Sequence, residues 1–91
     1  MDAKQVEEMI LKKNWDVTEY IERLDPSVIP VLLKLAKNSE WEVRQLSLLC
    51  LAYFKTRESA ETLAKALLDS DINVRSYAVG LLQETHDPAI L

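Results

Sequence analysis

The stretch Ser39-Glu40-Trp41-Glu42-Val43-Arg44-Gln45 occurs in a second version 31 positions later, as Ser70-Asp71-Ile72-Asn73-Val74-Arg75-Ser76. In both versions a serine and an acidic residue precede a hydrophobe, and a Val-Arg pair leads into a long apolar run. Ser39 with Glu42 three positions on predicts a capping box, which marks the start of a helix. The two stretches therefore predict two helices in equivalent surroundings.

The 31-residue shift extends well beyond these stretches. It places Leu32 on Leu63 and Leu51 on Leu82. The turns follow the same period: Asp25-Pro26, Thr56-Arg57 and Asp87-Pro88. Self-similarity at such a period is typical of a solenoid of stacked helix pairs, in which each pair covers the apolar face of the next. Chance alignment of two amphipathic hairpins is the alternative, and the coincidence of turn, cap and Val-Arg pair argues against it.

Composition narrows the class of protein. The chain has 91 residues, enough for one domain, with 48% hydrophobic residues, one Gly and three Pro, which favours long helices over many short strands. Its net charge of -4 argues against nucleic acid or an anionic membrane as the main target. No apolar run reaches the roughly 20 residues that span a bilayer. A single Cys excludes an intrachain disulfide, and we expect a cytoplasmic protein.

Hydrophobic periodicity predicts an all-α fold of about five full helices plus a C-terminal turn. The predicted spans are 4–13, 28–37, 40–55, 58–68 and 72–85, with a shorter helix between the first two. The segment from Glu40 to Lys55 is apolar almost all round. A helix of that kind has neighbours on several sides, so we expect it at the centre of the fold.

Two segments carry a family resemblance. Val28-Ile29-Pro30-Val31-Leu32-Leu33-Lys34-Leu35, followed by Glu42-Val43-Arg44, resembles the HEAT repeat. Leu67-Leu68-Asp69-Ser70-Asp71-Ile72-Asn73-Val74-Arg75-Ser76-Tyr77-Ala78 is similar to the shorter HEAT-like repeats of the phycobilisome-lyase type. The resemblance covers about residues 26–86 and implies a short right-handed α-solenoid of antiparallel helix pairs. The first copy departs from the shorter pattern by having Asn38 where Asp69 stands.

This resemblance, with the period, divides one domain into four parts. Residues 1–24 are expected to form a degenerate N-terminal capping repeat. Residues 25–55 and 56–86 are the first and second HEAT-like repeats. Residues 87–91 are expected to begin a further helix or to form a C-terminal cap.

Arg44 and Arg75 stand at equivalent places near the starts of the second helix of each repeat. One hypothesis is an anion or phosphate site. The other is a structural ladder in which the arginines bridge turn carboxylates, with Asp69, Asp71 and Glu40 as the candidates. The spacing and the HEAT resemblance favour the ladder.

The second helices also predict a binding face. In the first repeat the positions spaced 3, 4 and 3 apart are Glu42, Gln45, Leu49 and Ala52, and their repeat partners are Asn73, Ser76, Gly80 and Gln83. The resemblance implies that second helices line a concave surface. Gly80, the only glycine, would permit a partner or a neighbouring helix to approach closely. A solvated face without a ligand is the alternative.

Other side chains give a weak case for chemistry. His86 stands alone, and no Cys/His set has metal-ligand spacing. Cys50 lies in the most apolar helix, where a core role is expected. No nucleophile motif or Gly-rich phosphate loop occurs. Trp15, Trp41, Tyr53 and Phe54 are a possible recognition patch, although Trp41 is expected to pack at the hairpin turn.

We therefore expect a non-enzymatic protein-protein interaction module, without a cofactor or metal, that binds a protein or peptide on the concave face. The phycobilisome-lyase resemblance implies an alternative, a tetrapyrrole (bilin) lyase-like or chromophore-handling accessory protein. A third hypothesis is a structural repeat unit that self-associates through exposed solenoid ends, where Ile90 and Leu91 lie. No nucleic-acid or membrane partner is expected.

Overall fold

The computed structural model describes residues 1–85, which form five α-helices and two 3₁₀ helices and contain no strand. The α-helices are α1 (Ala3–Leu11), α2 (Ile29–Leu35), α3 (Trp41–Tyr53), α4 (Arg57–Ala66) and α5 (Ile72–Thr85). The 3₁₀ helices span Trp15–Arg23 and Pro26–Val28. The all-α prediction is confirmed. The right-handed stack and the four-part division stay predictions, and the 87–91 segment lies outside the described residues.

Hydrogen bonds at both ends of α1 define where the helix begins and ends. The Asp2 carboxylate accepts a hydrogen bond from the Gln5 N–H at 2.8 Å, and the Gln5 side chain accepts one from the Asp2 N–H at 2.9 Å, which completes a capping box. At the other end Lys13 has a positive φ of 57°. The Asn14 N–H donates to Met9 O and the Lys13 N–H to Ile10 O, a Schellman motif that ends the helix.

The short helix predicted next is a 3₁₀ helix rather than an α-helix. The Asn14 side chain caps it by accepting from the Asp16 N–H at 3.0 Å. The Thr18 hydroxyl donates to the Trp15 carbonyl, three residues back, at 2.8 Å. These local bonds stabilise tight turns of the chain near its start.

The capping box predicted at Ser39 is wrong. The N-cap of α3 is Glu40, and its side chain makes no capping bond. Instead the Asn38 side-chain oxygen accepts from the Glu40 N–H at 2.9 Å, and in the second repeat Asp69 accepts from the Asp71 N–H at the same distance. An Asx turn one residue earlier therefore begins both helices, because Asn and Asp side chains readily bond the backbone two residues on.

The core consists of two clusters that share α3. Val6, Ile10, Val17, Leu32, Leu46 and Leu51 belong to the first, between the N-terminal helices, α2 and α3. Leu48 and Ala52 of α3 join Leu63, Val74, Ala78 and Leu82 of α4 and α5 in the second. Because α3 supplies both clusters, it lies at the centre of the described fold. No helix in residues 1–85 is long and apolar enough to span a bilayer.

The buried hydroxyl of Ser59 joins the two repeats where α3 is followed by α4. Ser59 is fully buried, and its hydroxyl donates to the Leu51 carbonyl at 2.5 Å. Its own N–H donates to the Thr56 hydroxyl at 3.1 Å, which caps α4. The end of α3 and the start of α4 are thereby held together, and α2 packs on α3 as α4 packs on α5.

Candidate functional site

The two repeats meet at a salt bridge between Arg44 of α3 and Asp69 in the turn before α5. Arg44 Nε lies 2.9 Å from Asp69 Oδ2, and Nη2 lies 2.8 Å from Oδ1. The remaining nitrogen, Nη1, donates to the carbonyls of Asn38 at 2.9 Å and Ser39 at 3.0 Å. Each charged side chain is only 13% exposed. The pair is bidentate, and charge-assisted bonds of this geometry are among the stronger hydrogen bonds in proteins.

The pairing changes the acidity of both groups. The hydrogen bonds from Arg44 hold the pKa of the Asp69 carboxyl below its ordinary value, although partial burial opposes the shift. The same contact raises the pKa of the Arg44 guanidinium. Because Asp69 occupies the guanidinium fork of Arg44, an anion could bind there only by displacing a carboxylate. The geometry therefore favours the structural hypothesis for Arg44 over a phosphate site.

Arg75 makes only part of the contact that Arg44 makes. Its Nη1 donates to the Asp69 carbonyl at 2.7 Å, which matches the contact of Arg44 with Asn38 one repeat earlier. The Asp71 carboxylate, a predicted member of the ladder, instead accepts from the Asn73 N–H at 2.7 Å. Within residues 1–85 the predicted ladder thus has one side-chain rung, between Arg44 and Asp69.

The predicted binding face is partly exposed. In α5, Asn73, Ser76 and Gln83 are exposed, whereas Glu42 and Gln45 of α3 are half-buried. The Glu42 carboxylate lies 3.3 Å from the Lys13 Nζ, so Lys13, in the turn after α1, already pairs with it.

Two residues of the predicted face, Ala52 and Leu49, are less exposed than expected. Ala52 is 1% exposed and packs in the second core cluster, so its assignment to an open face is wrong. The reason is that α4 and α5 cover this side of α3, a contact that helical spacing alone does not specify. Leu49 is half-buried and packs against both clusters. It presents only part of its side chain to the face.

Gly80 faces open space. A Cβ built on its backbone meets no atom within 4 Å outside its own helix. No neighbouring helix of the described fold therefore requires a glycine here. The expectation that Gly80 lets a neighbouring helix approach closely is wrong. The other expected reason, close approach of a partner, stays a prediction.

The aromatic residues extend the face beyond the predicted set. Tyr53 is exposed at the end of α3, four residues after Leu49, and that spacing is the signal that places it on the same side. Trp15 and Tyr77 meet edge to face, with ring centroids 6.4 Å apart. The first 3₁₀ helix, which begins at Trp15, thus contacts α5 directly. Phe54 is buried and does not belong to a recognition patch.

Cys50, a remaining candidate for chemistry, is inaccessible in this fold. Cys50 is fully buried, and burial raises the pKa of its thiol to about 12. No group of three or more His, Cys, Asp or Glu side chains is placed to hold a metal ion within residues 1–85. His86 lies outside the described residues.

Comparison with known families agrees with this geometry. The family model for HEAT repeats matches residues 21–91, most of the chain, and the chain therefore belongs to the HEAT-repeat family. HEAT repeats generally mediate protein-protein interaction. No curated protein and no solved structure matches the chain.

Proposed function

We propose that this chain is a non-enzymatic binding module that holds a protein or peptide partner against the inner-helix face. We define this face by residues of α3 and α5 that are at least partly exposed: Glu42, Gln45, Leu49, Tyr53, Asn73, Ser76, Gly80 and Gln83. The observation that supports the proposal is that α3 and α5, which carry these equivalent positions, pack against each other. Membership of the HEAT family supports a protein as the partner.

The chemistry of the inner-helix face suits a polypeptide backbone. Gln45, Asn73 and Gln83 each carry a donor and an acceptor, and Ser76 adds a hydroxyl. Such groups can bond the N–H and C=O groups of a partner without requiring a charge. The open space at Gly80 allows close approach, and Tyr53 with the exposed part of Leu49 offers apolar contact.

A double substitution tests this face. In Gln45→Lys/Gln83→Lys, two long cations replace amides on the face, and we expect partner capture to fall while the melting temperature is nearly unchanged. The matched control is Glu58→Gln/Glu61→Gln, which raises the net charge by the same amount on α4, outside the face. We expect the control to capture the same partner as the wild-type chain.

The readout is the amount of one identified partner protein that each of the three chains captures. Equal capture by the Gln45→Lys/Gln83→Lys chain, with its fold intact by circular dichroism, would overturn the assignment of this face. Loss of capture by the α4 control alone would move the binding site to α4.

A further inference from the structure

The first helices of the two repeats, α2 and α4, leave a groove between them. Within residues 1–85, α2 packs on α1 and α3, and α4 packs on α3 and α5, but α2 and α4 do not pack closely on each other. The groove has a volume of about 290 Å³, and its floor is apolar: Leu33 and Ala36 of α2, Leu48 of α3 and Ala66 of α4. It therefore lies inside the stack of helix pairs and not at an end of it.

A difference between the two repeats accounts for the space. Under the 31-residue shift, Ala66 of α4 is the equivalent of Leu35 of α2. Leu35 is 2% exposed and packs in the first core cluster together with Val6 and Ile10 of α1. Because the side chain of Ala66 is much shorter, it does not fill the corresponding space between α2 and α4. Protein interiors are close-packed, so an apolar space of this kind favours a side chain that enters it.

One end of the groove is basic. Lys37, just after α2, and Lys65, in the last turn of α4, line it from opposite walls. Both side chains are exposed, and neither ammonium group forms an ion pair within residues 1–85. Asp69 also lines the groove, but Arg44 already binds both of its carboxylate oxygens. The carboxylate of Asp69 therefore leaves the two lysines available to a partner.

The other end of the groove is acidic. Glu58 and Glu61, near the start of α4, line it. Arg57 binds the Glu61 carboxylate at 3.1 Å, whereas the Glu58 carboxylate forms no ion pair in the part of the chain that the structure describes. Glu58 precedes Lys65 by two helical turns, which is about 10 Å along the helix axis. A free negative charge and free positive charges thus flank the apolar floor.

We propose that this groove docks an amphipathic α-helix of another protein, with an acidic, an apolar and a basic residue at successive turns of one face. The acidic residue would meet Lys37 and Lys65, the apolar residue would enter the floor, and the basic residue would meet Glu58. A helix laid in an apolar groove is a recurring mode of recognition. The volume suits an anchoring side chain, because sites that enclose a small molecule span about 300–1,000 Å³. The groove is separate from the inner-helix face, so the inference goes beyond the proposed function.

The probe is a synthetic peptide of about 20 residues, long enough to be helical by itself. It carries Glu, Leu and Lys at positions i, i+4 and i+7 on a background of alanine and glutamine. The full chain is labelled with ¹⁵N, and the peptide is added to about a millimolar. We expect amide shifts centred on Ala36, Lys37, Lys65 and Ala66. A control peptide with alanine in place of the leucine should bind about tenfold more weakly, because it loses the apolar anchor.

Two variants of the chain test the contacts separately. Lys65→Glu should weaken binding about fivefold at low salt, and a peptide with lysine in place of its glutamate should recover most of that loss. Ala66→Leu places in α4 the leucine that α2 has at the equivalent position, and it should abolish binding by filling the groove. Its matched control is Ala64→Leu, at an exposed position of α4, which should bind the peptide as the wild-type chain does.

Absence of shifts at the groove overturns the proposal, and so does a charge exchange that recovers no affinity. Two other results would assign the groove to other occupants and also count against it. Concentration-dependent sedimentation that Ala66→Leu abolishes would identify a second copy of the chain, and tighter peptide binding after Ile90→Asp/Leu91→Asp would identify the C-terminal residues. Lys65→Glu should leave capture at the inner-helix face unchanged, so the failure of one proposal is distinguishable from that of the other.

Discussion

The Arg44 guanidinium and the Asp69 carboxylate form a two-bond salt bridge that joins one helix pair to the next, at 2.9 and 2.8 Å. The bridge is largely withdrawn from water, and two carbonyls hold the third nitrogen of the guanidinium. A buried pair of this kind is costly to break on one side, because the remaining charge loses its partner. The salt bridge therefore fixes how the repeats sit on each other.

Asp69→Asn should lower the free energy of unfolding by about 1–3 kcal/mol near neutral pH. The pKa of Asp69 is depressed in the folded chain, so its stabilisation is present above the unfolded value near 3.8 and is lost as pH falls through the lower folded value. The difference between wild type and variant should therefore shrink in acid. Urea unfolding at a series of pH values measures it, and a difference independent of pH would contradict the assignment.

Asn38 shows why asparagine is the right replacement. At the equivalent position of the first repeat, an asparagine side chain accepts the same turn hydrogen bond, from the Glu40 N–H. Asp69→Asn therefore preserves the Asx turn and removes the charge. In an Arg44→Gln background the pH-dependent part of the difference should be smaller.

Gly80→Ala should stabilise the fold by about 0.5–1 kcal/mol. Glycine in a helix interior is less favourable than alanine by this amount, and the added methyl group meets no atom within 4 Å outside α5. Ala64→Gly, at an exposed site in α4, is the reverse control and should destabilise the fold by a similar amount. Thermal melts compare the three chains, and a lower melting temperature for Gly80→Ala would show that α5 is packed differently.

Cys50 should resist alkylation in the folded chain. The thiol is buried, and its pKa of about 12 leaves almost no thiolate near neutral pH. Modification by iodoacetamide should follow the unfolding curve in urea. Ser39→Cys in a Cys50→Ala background places a thiol at an exposed turn and should react at once. Rapid labelling of native wild-type chain would contradict the buried position of Cys50.

The sequence predicted the parts of this fold that depend on period. The 31-residue shift and the apolar run after Arg44 were sufficient for the all-α class and for the central place of α3, because both can be read from the sequence without knowing how the helices pack. The HEAT resemblance led to the family that the comparison shows. Arg44 and Asp69 were also among the predicted residues that the structure brings together.

The features that the sequence did not predict depend on contacts between residues in the folded chain. Asn38 and Ser39 are adjacent, both carry acceptors, and only the backbone geometry of the turn decides which one caps. Ala52 has the spacing of the exposed face, but α4 and α5 cover it. The contact of Lys13 with Glu42 requires the positive φ at the end of α1, which a lysine does not signal.

The pairing of Arg44 with Asp69 is the contact on which the joint between repeats depends, and a double-mutant cycle measures it directly. The cycle combines Arg44→Gln, Asp69→Asn and the double variant in urea unfolding. The expected coupling free energy is about 1.5–3 kcal/mol, as for hydrogen bonds between charged groups. Arg75→Gln with Asp69→Asn is the control. Its coupling should be below about 0.5 kcal/mol, because Arg75 bonds the Asp69 carbonyl, which asparagine retains, and acts on the Asp69 carboxylate only through a weaker coulombic interaction. A coupling for Arg44 no larger than that of the control would contradict the joint.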